Sequence, residues 1–163
     1  MAGPTLRTDV VDVYVFRRIE HRVEFLQMRR VGEPLGGTWQ PIMGHVHEGE
    51  TATAAALREL KEEAGLACER GSDPACLGVW ALDQVHPYFI ARLDTIMLSP
   101  RFACEVASAW DPTMNHEHDA GRWVDTSDVP WAFMWPGQLG AIDEILRAIV
   151  PEDSLSREHL RVV

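Results

Sequence analysis

The chain has 163 residues, 46% hydrophobic and 25% charged, ordinary proportions for one globular domain, and they argue against a disordered chain. Its net charge of −10 and pI near 5.1 argue against a basic face for a nucleic acid polymer. No apolar run reaches the ~18 residues of a membrane span, and the opening MAGPTLRTDV lacks the apolar core of a secretory signal, so a cytoplasmic chain with no membrane partner is expected.

In chain order, residues 9–17 are rich in β-branched and aromatic side chains and read as a strand. Residues 23–30 read as a second strand, with a hairpin turn at Glu20–His21. The run 32–38 (GEPLGGT) is a loop. Residues 51–64 predict the clearest helix, with Thr51 as N-cap and Gly65 as the stop. Strands are expected over 77–84, 88–98, 101–107 and 120–124. Pro136 opens a last helix over 137–149, whose apolar stripe is Leu139, Ile142, Ile145, Leu146 and Ile149. The polar tail 152–163 is expected to be loosely held. Strands outnumber and mix with helices, which predicts a layered α+β domain over 1–163, its core at about 9–149. Cys68, Cys76 and Cys104 are odd in number and form no CxxC pair. They read as reduced, mostly buried thiols, without a disulfide framework or structural zinc.

The chemistry lies in Gly44–Leu66, GHVHEGETATAAALRELKEEAGL. Glu59, Glu62 and Glu63 are spaced i, i+3, i+4 and share a helix face, while Ala56, Leu57, Leu60 and Ala64 form a neighbouring apolar face. Clustered carboxylates repel or take up protons. A hard divalent cation relieves this, and Mg²⁺ suits a site of few carboxylates plus substrate phosphates. Arg58 offsets part of the charge and reaches Glu62 at i+4. An isolated Glu-Glu pair on a helix is usually a solvated face. The surrounding spacing argues otherwise: Gly44, five residues, Glu50, seven residues, Arg58-Glu59-Leu60, one residue, Glu62-Glu63, one residue, Gly65-Leu66. A random chain of this length matches that pattern with a chance on the order of 10⁻⁸.

On this stretch the chain resembles the Nudix hydrolase superfamily. The resemblance implies an α/β/α sandwich with a mixed central sheet between helices. It also implies an enzyme that hydrolyses a nucleoside diphosphate linked to a further group, using Mg²⁺ or Mn²⁺. By the same resemblance Gly44 lends a backbone carbonyl to metal, and Glu59, Glu62 and Glu63 are ligands. Arg58 holds a carboxylate in place and Glu50 supports the loop. Water attack on a pyrophosphate needs its oxygens neutralised and a water activated, and clustered divalent ions supply both. Glu59 is favoured as the base, with Glu62, Glu63 and Glu117 as alternatives.

The flanks resemble the nucleoside triphosphate and dihydroneopterin triphosphate pyrophosphatases, in TWQPIMGHVHEGET before the helix, MNHEHDAGRWVD after it, and MWPGQLGAIDEIL near the end. On that match Glu117 is a further metal ligand. Substrate contacts are expected from Arg29, favoured over Arg30, and from Gln40, Trp39, Trp135 and Arg7. Stacking is the role envisaged for the tryptophans; Trp123 is expected in the core. His116 and His118 read as polar loop residues, and His45 and His47 as solvated. The expected partner is a phosphorylated small molecule, a nucleotide or pterin triphosphate; a homodimer is left open. The signature arrays of NADH and ADP-ribose hydrolysing members are missing. The alternatives are a dinucleoside polyphosphate or nucleotide-sugar hydrolase, and a nucleotide-sensing module without turnover. The intact carboxylates weigh against the module.

Overall fold

Val11, Val13 and Val15 point to one side of a single strand, Tyr14 and Phe16 to the other, and all are buried. That two-sided apolar pattern marks a strand sandwiched between layers. The computed structural model describes residues 3–69 and 72–163. Its strands are β1 (Thr5–Arg7), β2 (Val10–Ile19), β3 (Arg22–Arg30), β4 (Trp39–Gln40), β5 (Ile42–His45), β6 (Cys76–Ala81), β7 (Tyr88–Ile90), β8 (Thr95–Met97), β9 (Arg101–Val106) and β10 (His118–Asp125). Its helices are α1 (Ala52–Ala64), α2 (Val129–Ala132), α3 (Pro136–Glu144, running on as a π-type turn over Ile145–Ile149) and α4 (Leu155–Leu160).

The main sheet runs β10-β3-β2-β9-β6, with β4 beside β3 and β5 beside β2. The β2–β9 pairing is parallel and the others antiparallel. One face packs Val11, Val13, Val15, Leu26 and Met28 on Ala56 and Leu60 of α1. The opposite face packs Tyr14, Phe16, Phe25 and Trp80 on Ile142, Ile145 and Ile149. The expected α/β/α sandwich with a mixed sheet is therefore present.

Local choices fix the site helix. The Thr51 hydroxyl accepts from the Ala54 amide at 3.1 Å, and Gly65 ends α1 in the left-handed region at φ 72°. The hairpin turn falls as expected, with Glu20 at φ 54°.

Four expectations need correction. The strand expected over 88–98 is two, β7 and β8, which pair antiparallel and join β1 in a separate sheet. Asp94, left-handed at φ 45°, reverses the chain between them. The tail is fastened: Val162 donates to the Val79 carbonyl at 2.8 Å, and Arg157 meets Glu105 at 3.0 Å while its guanidinium lies 4.4 Å from the Trp80 ring centre. Cys68 and Cys76 are joined in a disulfide, their Cα atoms 5.5 Å apart, and Cys104 is the free thiol. The loop after α1 brings Cys68 back beside β6, a proximity that sequence spacing does not reveal. Finally His118 is buried within β10.

α3 docks through a buried polar contact. Arg101 donates to Asp12 at 3.1 Å and to the Gly137 carbonyl at 2.6 Å, with both charged side chains nearly inaccessible. Burial pushes the Asp12 carboxyl up to about 6, against the pull of Arg101.

Candidate active site

The site is built where α1 passes β5. Gly44 on β5 faces Glu59 so closely that a Cβ there would stand 1.9 Å from the Glu59 carboxyl. Only glycine permits this approach. Glu59 and Glu63 are 8% and 2% exposed, whereas the Glu62 side chain is 55% exposed. The three carboxylates thus split: two turn toward the sheet and one stands at the rim.

Arg58 organises the group. Its Nε and Nη2 bind Glu50 in a fork at 3.0 and 3.1 Å, and Nη2 also donates to the His45 carbonyl at 2.7 Å. Nη1 reaches Glu59 at 2.6 Å and Glu62 at 3.1 Å. A planar guanidinium with five fixed donors can satisfy this set, and a lysine cannot. Glu50 also accepts from the His47 amide at 3.0 Å, which closes the loop before α1. The Arg58 hydrogen bonds hold the Glu50 carboxyl down at about 2.

The inner carboxylates are perturbed the other way. Burial, then the charges of Glu59 and Glu117, push Glu63 up to about 8, with Met43 and Arg30 pulling against this. Burial raises Glu59 too, opposed by Arg58 and reinforced by Glu62 and Glu117. Glu117 therefore stands within electrostatic reach of both. The turn that carries it is fixed by its carbonyl accepting from Val31 at 2.8 Å and its amide donating to Asn115 at 2.9 Å. Glu63 Oε2 is buried without a hydrogen-bond partner. A buried, unpartnered carboxylate oxygen among like charges suits an oxygen-seeking divalent cation. The carboxylate oxygens are not drawn tightly together. Among the described residues, the one set of three metal-ligating groups with atoms all within 4.8 Å of each other is the three cysteines.

The expected substrate residues are scattered. Arg29 pairs with Asp119 at 2.7 and 3.0 Å, near the Trp39 ring. Arg30 is the arginine whose charge acts on Glu63, so the carboxylate side belongs to Arg30 and not to the favoured Arg29. β3 is apolar on both faces, so alternation alone does not say which face meets α1. Trp39 is covered by Arg122, 4.2 Å from its ring centre. Gln40 is 5% exposed. Arg7 is neutralised by Asp9 at 2.6 Å. Trp135 starts α3 and is half-exposed. Trp123 is half-buried and packs edge-on to Trp110. His45 and His47 are exposed as expected. Sequence reasoning undervalued His118, whose Nε2 lies 4.0 Å from Glu63. Its place beside Glu117 was the available signal.

The family model described as the NUDIX domain matches residues 6–144, most of the chain. The chain belongs to the Nudix family. An octanoyltransferase of Myxococcus xanthus is 34% identical over 126 residues, covering 76% of this chain and 32% of the relative. This Nudix chain therefore spans about a third of that relative's length. The asymmetrical bis(5'-nucleosyl)-tetraphosphatase of Caenorhabditis elegans is 25% identical over 70% of this chain and 76% of its own. The E. coli dihydroneopterin triphosphate pyrophosphohydrolase superposes with a TM-score of 0.68 at 20% identity, covering 91% of this chain and all of that one. The last likeness speaks for the Nudix fold.

Proposed function

We propose that this Nudix domain is a divalent-metal-dependent pyrophosphohydrolase. Its substrate class is a nucleoside diphosphate linked to a further group, foremost a nucleoside or dihydroneopterin triphosphate. The observation that carries this reading is the buried, unpartnered Glu63 carboxylate oxygen within electrostatic reach of Glu59 and Glu117, with Arg58 bracing Glu59.

Glu59, Glu62, Glu63, Glu117 and the Gly44 carbonyl would hold Mg²⁺ or Mn²⁺. Such ions neutralise the pyrophosphate oxygens and lower the pKa of an attacking water. The chain's own part is positioning. Arg58 braces the Glu59 carboxylate, and Glu59 is the group to which this reading gives the water's proton. Arg30 supplies a cation on the carboxylate side for a substrate phosphate. Trp135, half-exposed at the start of α3, offers a ring face for a base or pterin.

The C. elegans relative favours a second reading, a dinucleoside polyphosphate hydrolase. A panel of deoxynucleoside, ribonucleoside and dihydroneopterin triphosphates, diadenosine polyphosphates, ADP-ribose and nucleotide sugars, assayed with Mg²⁺, separates the two. Pyrophosphate release from a triphosphate, lost in Glu63→Gln, supports the first reading. Cleavage confined to diadenosine polyphosphates supports the second. No turnover of any member, with nucleotide binding retained, overturns both in favour of a sensing module.

A further inference from the structure

The three cysteines come from separate parts of the chain and converge on the α1 side of the sheet. Cys68 lies in the loop after α1, Cys76 opens β6, and Cys104 lies in β9 opposite Val79. Their sulfurs all lie within 4.8 Å of one another, and Cys104 Sγ is 3.7 Å from Cys68 Sγ. Two thiolates on one zinc ion at bonds of ~2.3 Å stand about 3.8 Å apart at a tetrahedral angle. The Cys68–Cys104 separation already has that value. Beside the sulfurs lies a cavity of about 230 Å³ lined by Cys68, Cys76, Glu69, Asp73 and Arg161. Asp73 uses Oδ1 to accept from the Ala75 amide at 2.8 Å.

We propose that, with the Cys68–Cys76 disulfide reduced, Cys68, Cys76 and Cys104 form a three-sulfur site for Zn²⁺, its fourth position open to this cavity. Thiolates select zinc and copper(I) over magnesium, and the carboxylates lining the cavity offer oxygen ligands of a kind that zinc accepts. The site is separate from the Nudix carboxylates in chemistry and in place. Oxidation and binding exclude each other: forming the single sulfur–sulfur bond removes two electrons from the Cys68 and Cys76 thiolates and leaves neither sulfur with the negative charge that binds the ion. Reduction of that bond needs an external dithiol or phosphine reductant, which takes up the oxidising equivalents. Each thiol then gives its proton to solvent as the ion binds.

The test is a Cd²⁺ titration of the reduced full chain under anaerobic conditions with excess Mg²⁺, following the ultraviolet thiolate-to-cadmium charge-transfer band, then back-titration with Zn²⁺. One equivalent of Cd²⁺ should bind, be displaced by Zn²⁺, and leave no band in the oxidised chain. Since losing an outer-shell partner alone costs 10–100-fold in metal affinity, Cys104→Ser should weaken Cd²⁺ binding by at least about 100-fold. Cys76→Ser, at a half-buried position, should do the same and guards against misfolding of the buried variant. Glu63→Gln should leave the band unchanged. The proposal is overturned by absence of the band, by an unaltered affinity in Cys104→Ser and Cys76→Ser, by loss of the band in Glu63→Gln, or by unfolding on reduction seen in circular dichroism.

Discussion

Glu63 concentrates the tension of the site in one side chain. Burial and its acidic neighbours push its carboxyl up to about 8 in the fold against an ordinary 4.5. A raised folded value means the stabilising contribution is complete below about 4.5 and is lost as pH rises toward 8. Ion-free protein should therefore lose stability across that window, and Glu63→Gln should flatten the loss. A slope between the ordinary 3.8 of Asp12 and its folded value of about 6 should remain. Urea midpoints at a series of pH values in chelator check this, and equal slopes in both proteins would contradict it. The same variant should lose turnover by more than about 100-fold, since even outer-shell partners are worth 10–100-fold. Arg58→Lys keeps the charge but cannot fork onto Glu50 while reaching Glu59 and Glu62. It should lower kcat by about 10–100-fold with little change in KM. At this scale the spacing Gly44–Leu66 made most of the site legible, down to the loop-bracing role of Glu50. It could not show which of Arg29 and Arg30 faces the carboxylates, because both faces of β3 are covered. Nor could it show that His118 is buried, because polar residues surround it in sequence.

At the scale of elements, α1 and the β2–β3 hairpin were legible because their signals are local: a cap, a stop and a reversal. β9 was the weakest expectation and is fully buried. Its six residues include Arg101 and Glu105, charges that only tertiary partners justify. Arg101 pairs with Asp12 and holds the start of α3, while Glu105 meets Arg18 and Arg157. Removing one partner of a buried pair strands the other charge, which typically costs 3–5 kcal/mol. Arg101→Met should therefore destabilise the chain by about 3–5 kcal/mol in urea unfolding, whereas a loss under 1 kcal/mol would mean Asp12 is simply neutral. Gly44 couples two elements in a different way. Gly44→Ala must push α1 from β5 or drive Glu59 aside, so it should cost about 1–3 kcal/mol and most of the activity. Normal kcat in that variant would show that the close approach is dispensable.

For the molecule as a whole, the acidic balance and the site are linked. If divalent ions bind the folded carboxylates and not the unfolded chain, Mg²⁺ should raise Tm by mass action. The rise should be larger at pH 8 than at pH 5, because protons compete for Glu59 and Glu63. A scanning fluorimetry series with Mg²⁺ and chelator reads this directly, and an unmoved Tm at millimolar Mg²⁺ would sink the site. The last residues bear on a separate property. β6 ends the main sheet, and the outer edge of Val79 is paired by Val162 and Val163. These residues occupy a strand edge that would otherwise be open, and an open strand edge invites a second copy. A chain trimmed of Val162 and Val163 would keep the carboxylates of α1 untouched yet turn a surface seam into an adhesive one. Sedimentation of the trimmed chain should then depend on concentration while its turnover per chain does not change.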